Sequence, residues 1–146
     1  MTFAKKKRVI KLSVLDPMLY GAARAFDYLG FRGQDMIDRM GDEIIEYGVD
    51  SGYFEKSNDP HQFVNNVVKF FVENGYMDNV TVNQSGDTLE IGMSNWRFLP
   101  LMRKLRDRNL YLLTCPVCVA NNTIIKSAGG ISERVSENVT ADGFFL

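Results

Sequence analysis

Apolar positions recur along this chain with two different periods, and the changes between them mark its elements. Val9, Ile10, Leu12, Val14 and Leu15 follow a basic run and predict a strand or extended arm over Arg8 to Leu15. Asp16-Pro17 then reads as an N-cap with Pro at the first helical position, ahead of Met18, Leu19, Ala22, Ala25, Phe26 and Leu29 at helical spacing, with Gly30 as the stop. A second amphipathic helix is predicted from Arg32 to Tyr47, carried by Met36, Ile37, Met40, Ile44 and Tyr47. Asp35, Asp38, Asp42, Glu43 and Glu46 give it an acidic, solvated side. Gly48 to Pro60 reads as a polar linker. Beyond it, Phe63, Val67, Phe70 and Phe71 define a third helix, capped by Asn58 or Asp59 and closed by Gly75.

The period then shortens to two. Val80, Val82, Leu89, Ile91 and Met93 alternate with polar residues on either side of Gln84-Ser85-Gly86-Asp87, which predicts a β-hairpin. Trp96, Leu99, Leu101, Met102 and Leu105 return to helical spacing, with Pro100 at the start or at an early kink. Arg97, Arg103, Lys104, Arg106 and Arg108 make the remaining face basic and solvated. Tyr111-Leu112-Leu113 leads into Thr114-Cys115-Pro116-Val117-Cys118, and Val119, Ala120, Ile124 and Ile125 predict a helix that stops at Gly129-Gly130. Ile131 to Val139 alternates as a strand, and Ala141-Asp142-Gly143 turns into Phe144-Phe145-Leu146. The expected fold class is α+β: an N-terminal helical layer packed on a C-terminal antiparallel β-sheet with interspersed helices. Residues 1–146 form a single domain in this reading, with 1–8 as a basic tail.

Composition narrows the class. With 45% hydrophobic and 24% charged residues the chain matches an ordinary globular protein. Seventeen Lys and Arg against eighteen Asp and Glu leave a net charge of -1, so no global field draws it to a polyanion. Nucleic acid is not expected as a partner, and the run Lys5-Lys6-Lys7-Arg8 reads as a solvated tail. No apolar run approaches the roughly 20 residues of a membrane span, and none near the start suits a signal peptide, so a cytoplasmic protein without membrane insertion is expected. Ten Phe and seven Met supply adaptable apolar surface suited to a core or to a pocket around an apolar ligand.

The concentrated reactive chemistry is Cys115 and Cys118. Pro116 fits best at the first position of a helix, which makes Cys115 the N-cap and Cys118 the third helical residue. The positive end of the helix dipole favours thiolate there, and thiolate is the form that oxidises, ligates metal or attacks an electrophile. Three readings stay open: a redox or sensing dithiol, half of a metal site completed by a second copy, or two small buried hydrophobes. His61, the one histidine, follows Asp59-Pro60 at a helix start and reads as structural or solvent-exposed. No phosphate loop, nucleophile elbow, zinc-protease motif or dinucleotide fingerprint is present, so a non-catalytic role is expected.

Tyr20-Gly21-Ala22-Ala23-Arg24 through Leu29-Gly30-Phe31-Arg32-Gly33, with Cys115-Pro116-Val117-Cys118, Ser132-Glu133-Arg134-Val135 and Ala141-Asp142-Gly143-Phe144, resemble the 4-vinyl reductase domain. That small-molecule-binding family is related in fold to TRAPP transport subunits and haem-based nitric oxide sensors. The resemblance implies helices on a twisted antiparallel sheet, a homodimer through the N-terminal helices, and an apolar cavity between the layers. The expected function is therefore a cytosolic ligand-binding or sensory domain for a small hydrophobic molecule, with Cys115, Cys118, Phe70, Met102 and Trp96 as the candidate contacts. The alternatives are a dithiol redox or thiol-sensing protein and a metal-binding dimer. In the dimer, zinc or another thiolate-bound metal would be shared through Cys115 and Cys118.

Overall fold

The computed structural model describes residues 12–31, 34–94, 96–110, 116–130, 138–139 and 143–145. Within them the order is α1 (Leu12–Tyr28), α2 (Gln34–Asp50), α3 (Pro60–Glu73), β1 (Asn79–Ser85), β2 (Thr88–Ser94), α4 (Leu99–Arg106), α5 (Pro116–Ala128), β3 (Asn138–Val139) and β4 (Gly143–Phe145). The fold is α+β, with three helices ahead of an antiparallel sheet of strand order β1-β2-β4-β3. Among the described residues no helix is long and apolar enough to cross a membrane.

The hairpin forms where the two-residue period predicts it. Ser85 pairs with Thr88, leaving Gly86-Asp87 as the turn. Gly86 has φ +59° and Asp87 does not enter positive φ, the pattern of a type II′ turn whose twist matches the strands. Val82 faces Ile91 and Val80 faces Met93 across the pair. β4 then adds antiparallel to β2, with Met93 opposite Phe144.

Helix α3 sits at the centre. Asp59 is its N-cap, accepting from the His61 amide at 3.0 Å, with Pro60 in the first turn. Its residues feed two clusters. Val64 and Val68 join Met77, Ile91, Met93, Trp96, Phe98, Leu101, Met102 and Leu105 over the sheet and α4. Phe63 and Val67 join Ile45, Phe54 and Val119 between α2 and α5. His61 ties α3 to β1: the Nε2-protonated tautomer donates to the Val82 carbonyl at 3.3 Å while Nδ1 accepts from Asn65 at 3.3 Å.

Three boundaries differ from the sequence reading. Leu12 to Leu15 is helix rather than strand, and Asp16-Pro17 lies inside α1 rather than at its start. Leu15, Leu19 and Ala23 recur at four-residue steps and pack against the larger cluster, so tertiary burial overrides the β-propensity of the local run. Gly48 to Asp50 belongs to α2 rather than to the linker, and Gly48 is buried against Phe54. There the Gly48 carbonyl accepts from the amides of Tyr53 and Phe54, and Gly52 takes φ +75°. Residues 8–11, the Lys5 to Arg8 run, Tyr111 to Cys115 and Ile131 to Glu137 lie outside the described residues.

Candidate functional site

The end of α2, the turn after it and the middle of α3 converge on an apolar groove of about 360 Å³, walled by Ile44, Tyr47, Tyr53, Phe54, Phe70 and Phe71. Local structure explains the convergence. Gly48 has no side chain, so the Phe54 ring lies directly on the α2 backbone. The turn closed by Gly52 carries Tyr53 and Phe54 back over α3.

The rings interlock. Phe54 meets Phe70 edge-on at 5.3 Å between centroids and Phe71 at 6.3 Å; Phe70 meets Phe71 edge-on at 5.7 Å. Tyr53 lies 5.6 Å from Phe70 and 6.3 Å from Tyr47. Edge-to-face and offset pairs hold aromatic rings in fixed relative orientation and so pre-form the wall. Tyr47 and Tyr53 are 67% and 55% exposed, placing apolar faces and hydroxyls at the rim. Among the described residues Glu43 is the one charged group that lines the groove.

The five candidate contacts fall in different places. Phe70 lines the groove. Trp96 and Met102 do not: they are 2% and 7% exposed and belong to the core over the sheet. Phe70 and Trp96 are nevertheless joined by a continuous run of rings, from Phe70 to Phe71, to Tyr76 at 5.1 Å, and on to Trp96 at 6.3 Å. The Trp96 indole Nε1 is buried without a hydrogen-bond partner among the described residues, an uncommon state for a buried indole. Cys115 lies outside the described residues. Cys118 is the third residue of α5, which begins at Pro116 as the sequence predicts. Among the described residues no group of three His, Cys, Asp or Glu side chains is placed to hold a metal ion.

Sequence reasoning passed over Tyr53 and Phe54 because they sit in a stretch otherwise rich in Gly, Ser, Asn and Asp. Two adjacent aromatics in such a segment are the signal that was available. It also passed over Asn122 and Thr123, buried on α5. Asn122 Nδ2 donates to the Asp38 carbonyl at 2.6 Å, and Thr123 Oγ1 donates to the Val119 carbonyl at 2.8 Å. The Asn122 bond and the ion pair between Lys126 and Asp42 at 3.7 Å tie α5 to α2, while the Thr123 bond lies within α5.

No family model, curated protein or solved structure matches the chain. The functional reading rests on the site.

Proposed function

We propose that the protein is a non-catalytic, cytosolic domain that binds or senses a small hydrophobic molecule, most fittingly a flat aromatic one, in the groove between α2 and α3. The observation that carries this reading is the set of interlocked rings around an open apolar space of about 360 Å³. Small-molecule sites are commonly apolar and aromatic-lined with volumes of roughly 300–1,000 Å³. A planar apolar ligand would lie against the exposed rings of Tyr47 and Tyr53, with Phe70 as its floor. The resemblance to 4-vinyl reductase domains is part of the reading, supported by the helices that precede the antiparallel sheet.

A homodimer through α1 belongs to the same proposal. Val14, Met18 and Tyr28 are exposed and fall on one side of that helix, and Leu29 beside its end is exposed too. Sedimentation at micromolar concentration should give a dimer that Met18→Glu converts to monomer; a wild-type monomer would remove this part of the proposal.

The ligand reading is tested with 1-anilinonaphthalene-8-sulfonate on the folded, full-length protein, alongside native mass spectrometry of the protein as purified. Saturable binding is expected, with Trp96 emission quenched by energy transfer to the bound dye and with Phe70→Ala weakening affinity. A clean apo mass, together with no thermal shift across a panel of apolar molecules, would sink it.

A second reading is supported by the start of α5 at Pro116, which sets Cys118 in the first helical turn, where the backbone amides favour thiolate. In that reading Cys115 and Cys118 form a redox or sensing dithiol, or ligate zinc or a similar metal across two copies. It expects Cys118 to alkylate faster than a model thiol and the oxidised protein to carry a Cys115–Cys118 disulfide. Alkylation at the model rate rejects the dithiol form; metal-free protein by elemental analysis rejects the other.

A further inference from the structure

The backbone gives the aromatic groove a sign of charge as well as a shape. The groove lies at the carboxyl-terminal ends of two helices at once: Tyr47 and Gly48 belong to the last turn of α2, and Phe70 and Phe71 to the last turn of α3. Helix dipoles place partial negative charge at such ends, where Lys, Arg or His in the last turn is the stabilising complement. Neither helix has a basic residue there. The end of α2, Asp42 to Asp50, instead carries Asp42, Glu43, Glu46 and Asp50. Arg39 pairs with Glu43 at 2.6 Å, Lys69 with Glu73 at 3.6 Å and Lys126 with Asp42 at 3.7 Å, but none of these three cations lines the groove.

The same helix ends have their carbonyl oxygens already engaged. Tyr47 accepts from the Ser51 amide, Gly48 from Tyr53 and Phe54, and Val49 from Gly52. On α3, Phe70 accepts from the backbone amide and Nδ2 of Asn74, Phe71 from Tyr76, and Val72 from Gly75. The groove therefore sets a negative potential over an apolar, ring-lined surface whose backbone acceptors are in use. A primary ammonium brings three N–H donors that would lose water without regaining partners. A carboxylate or sulfonate meets the wrong sign, and a neutral ring gains nothing from the potential. A quaternary ammonium has no N–H to satisfy, spreads its charge over methyl groups, and is attracted to aromatic rings.

We propose that the ligand of this groove is a small organic cation, a quaternary ammonium attached to a flat apolar body. The proposal rests on the groove being a small-molecule site and adds the charge of the molecule it holds. The apolar body lies on Phe70, and the methylated nitrogen lies against the exposed rings of Tyr47 and Tyr53. Glu43, one turn of α2 before Tyr47, reinforces the sign from the groove wall; its exposed pair with Arg39 is of the kind that contributes little and so competes weakly. A space of about 360 Å³ holds such a molecule whole, which favours a free small cation over a methylated side chain of another protein.

The test compares (3-hydroxyphenyl)trimethylammonium with 3-tert-butylphenol, where carbon replaces nitrogen and the charge is lost at constant shape, and with 3-hydroxybenzylammonium. Each compound is titrated into the folded, full-length, ¹⁵N-labelled protein, and the amide shifts of residues 43–54 and 70–73 are followed. The quaternary cation should bind about tenfold more tightly than either comparison compound. Its advantage over the carbon isostere should shrink as NaCl is raised. Glu43→Gln and Tyr47→Leu, both at exposed positions, should each reduce that advantage at least about threefold. If 3-tert-butylphenol or the primary ammonium binds in the groove as tightly as the quaternary cation, the charge assignment is overturned and the apolar site stands. If none of the three gives saturable shifts there, the site and the charge assignment fall together. A capped trimethyl-lysine peptide that binds more tightly than the free cation would move the charge onto a protein partner and overturn the small-molecule form.

Discussion

Replacing Gly48 by alanine sets two effects of opposite sign against each other. In an exposed helix interior the change stabilises by roughly 1 kcal/mol, because glycine is the more costly residue to order. At Gly48 a Cβ would stand 2.9 Å from Cζ of Phe54 and closer still to its Cδ2 and Cε2 atoms. The ring cannot yield freely. Phe54 is buried, with Phe70 and Phe71 packed at 5.3 and 6.3 Å on its other sides. Overpacking of this kind costs about 3 kcal/mol at the upper end of its usual range. The net expectation is a loss of about 2 kcal/mol, or a fall in Tm of roughly 4–8 °C for a chain of this size. Gly21→Ala is the control, since no atom outside its own helix lies within 4 Å of its added Cβ; it should stabilise by about 0.5–1 kcal/mol. Urea denaturation of both variants, with Gly48→Ala/Phe54→Leu to complete a cycle, measures the contact directly. A shared stabilisation of the two alanine variants, or additive behaviour of Gly48→Ala and Phe54→Leu, would show that Phe54 does not rest on the α2 backbone and that the groove is not built as described.

Leu105 is fully buried against the sheet cluster, and Leu105→Ala should cost about 2–5 kcal/mol by denaturant titration, the largest loss among single truncations on α4. Asp59→Ala removes the cap of α3 and should cost about 0.5–2 kcal/mol, with Asp59→Asn recovering most of it. Asn122→Ala removes the hydrogen bond to the Asp38 carbonyl and should cost about 0.5–1.5 kcal/mol; because it loosens α5 against α2, it should also raise amide exchange in α2 before global unfolding.

The sequence by itself determined the elements whose signals are local. Asp59-Pro60 starts α3 because a carboxylate caps the amide two residues on, and the Gly86-Asp87 turn sets a register that places Val82 opposite Ile91. Pro116 starts α5 because a residue without an N–H fits the first helical turn. Periodicity likewise marked Leu99, Leu101, Met102 and Leu105 as one buried face.

Tertiary structure decided the rest, wherever a local preference lost to burial at long range. Leu12 to Leu15 looked extended until Leu15, Leu19 and Ala23 were given a surface to cover. Gly48 looked like a linker residue because no local rule announces that an aromatic six positions later will lie on its backbone. Phe70 and Trp96 carry equivalent apolar signals in the sequence, yet one walls an open groove and the other is buried beneath two intervening rings. Asp16-Pro17 read as a helix start, and only the packing of α1 over α4 carried the helix back through Leu12 and left that dipeptide inside it. Caps and turns are written in neighbouring residues. Grooves and clefts arise between elements far apart in the chain, and their walls become recognisable only once those elements have packed.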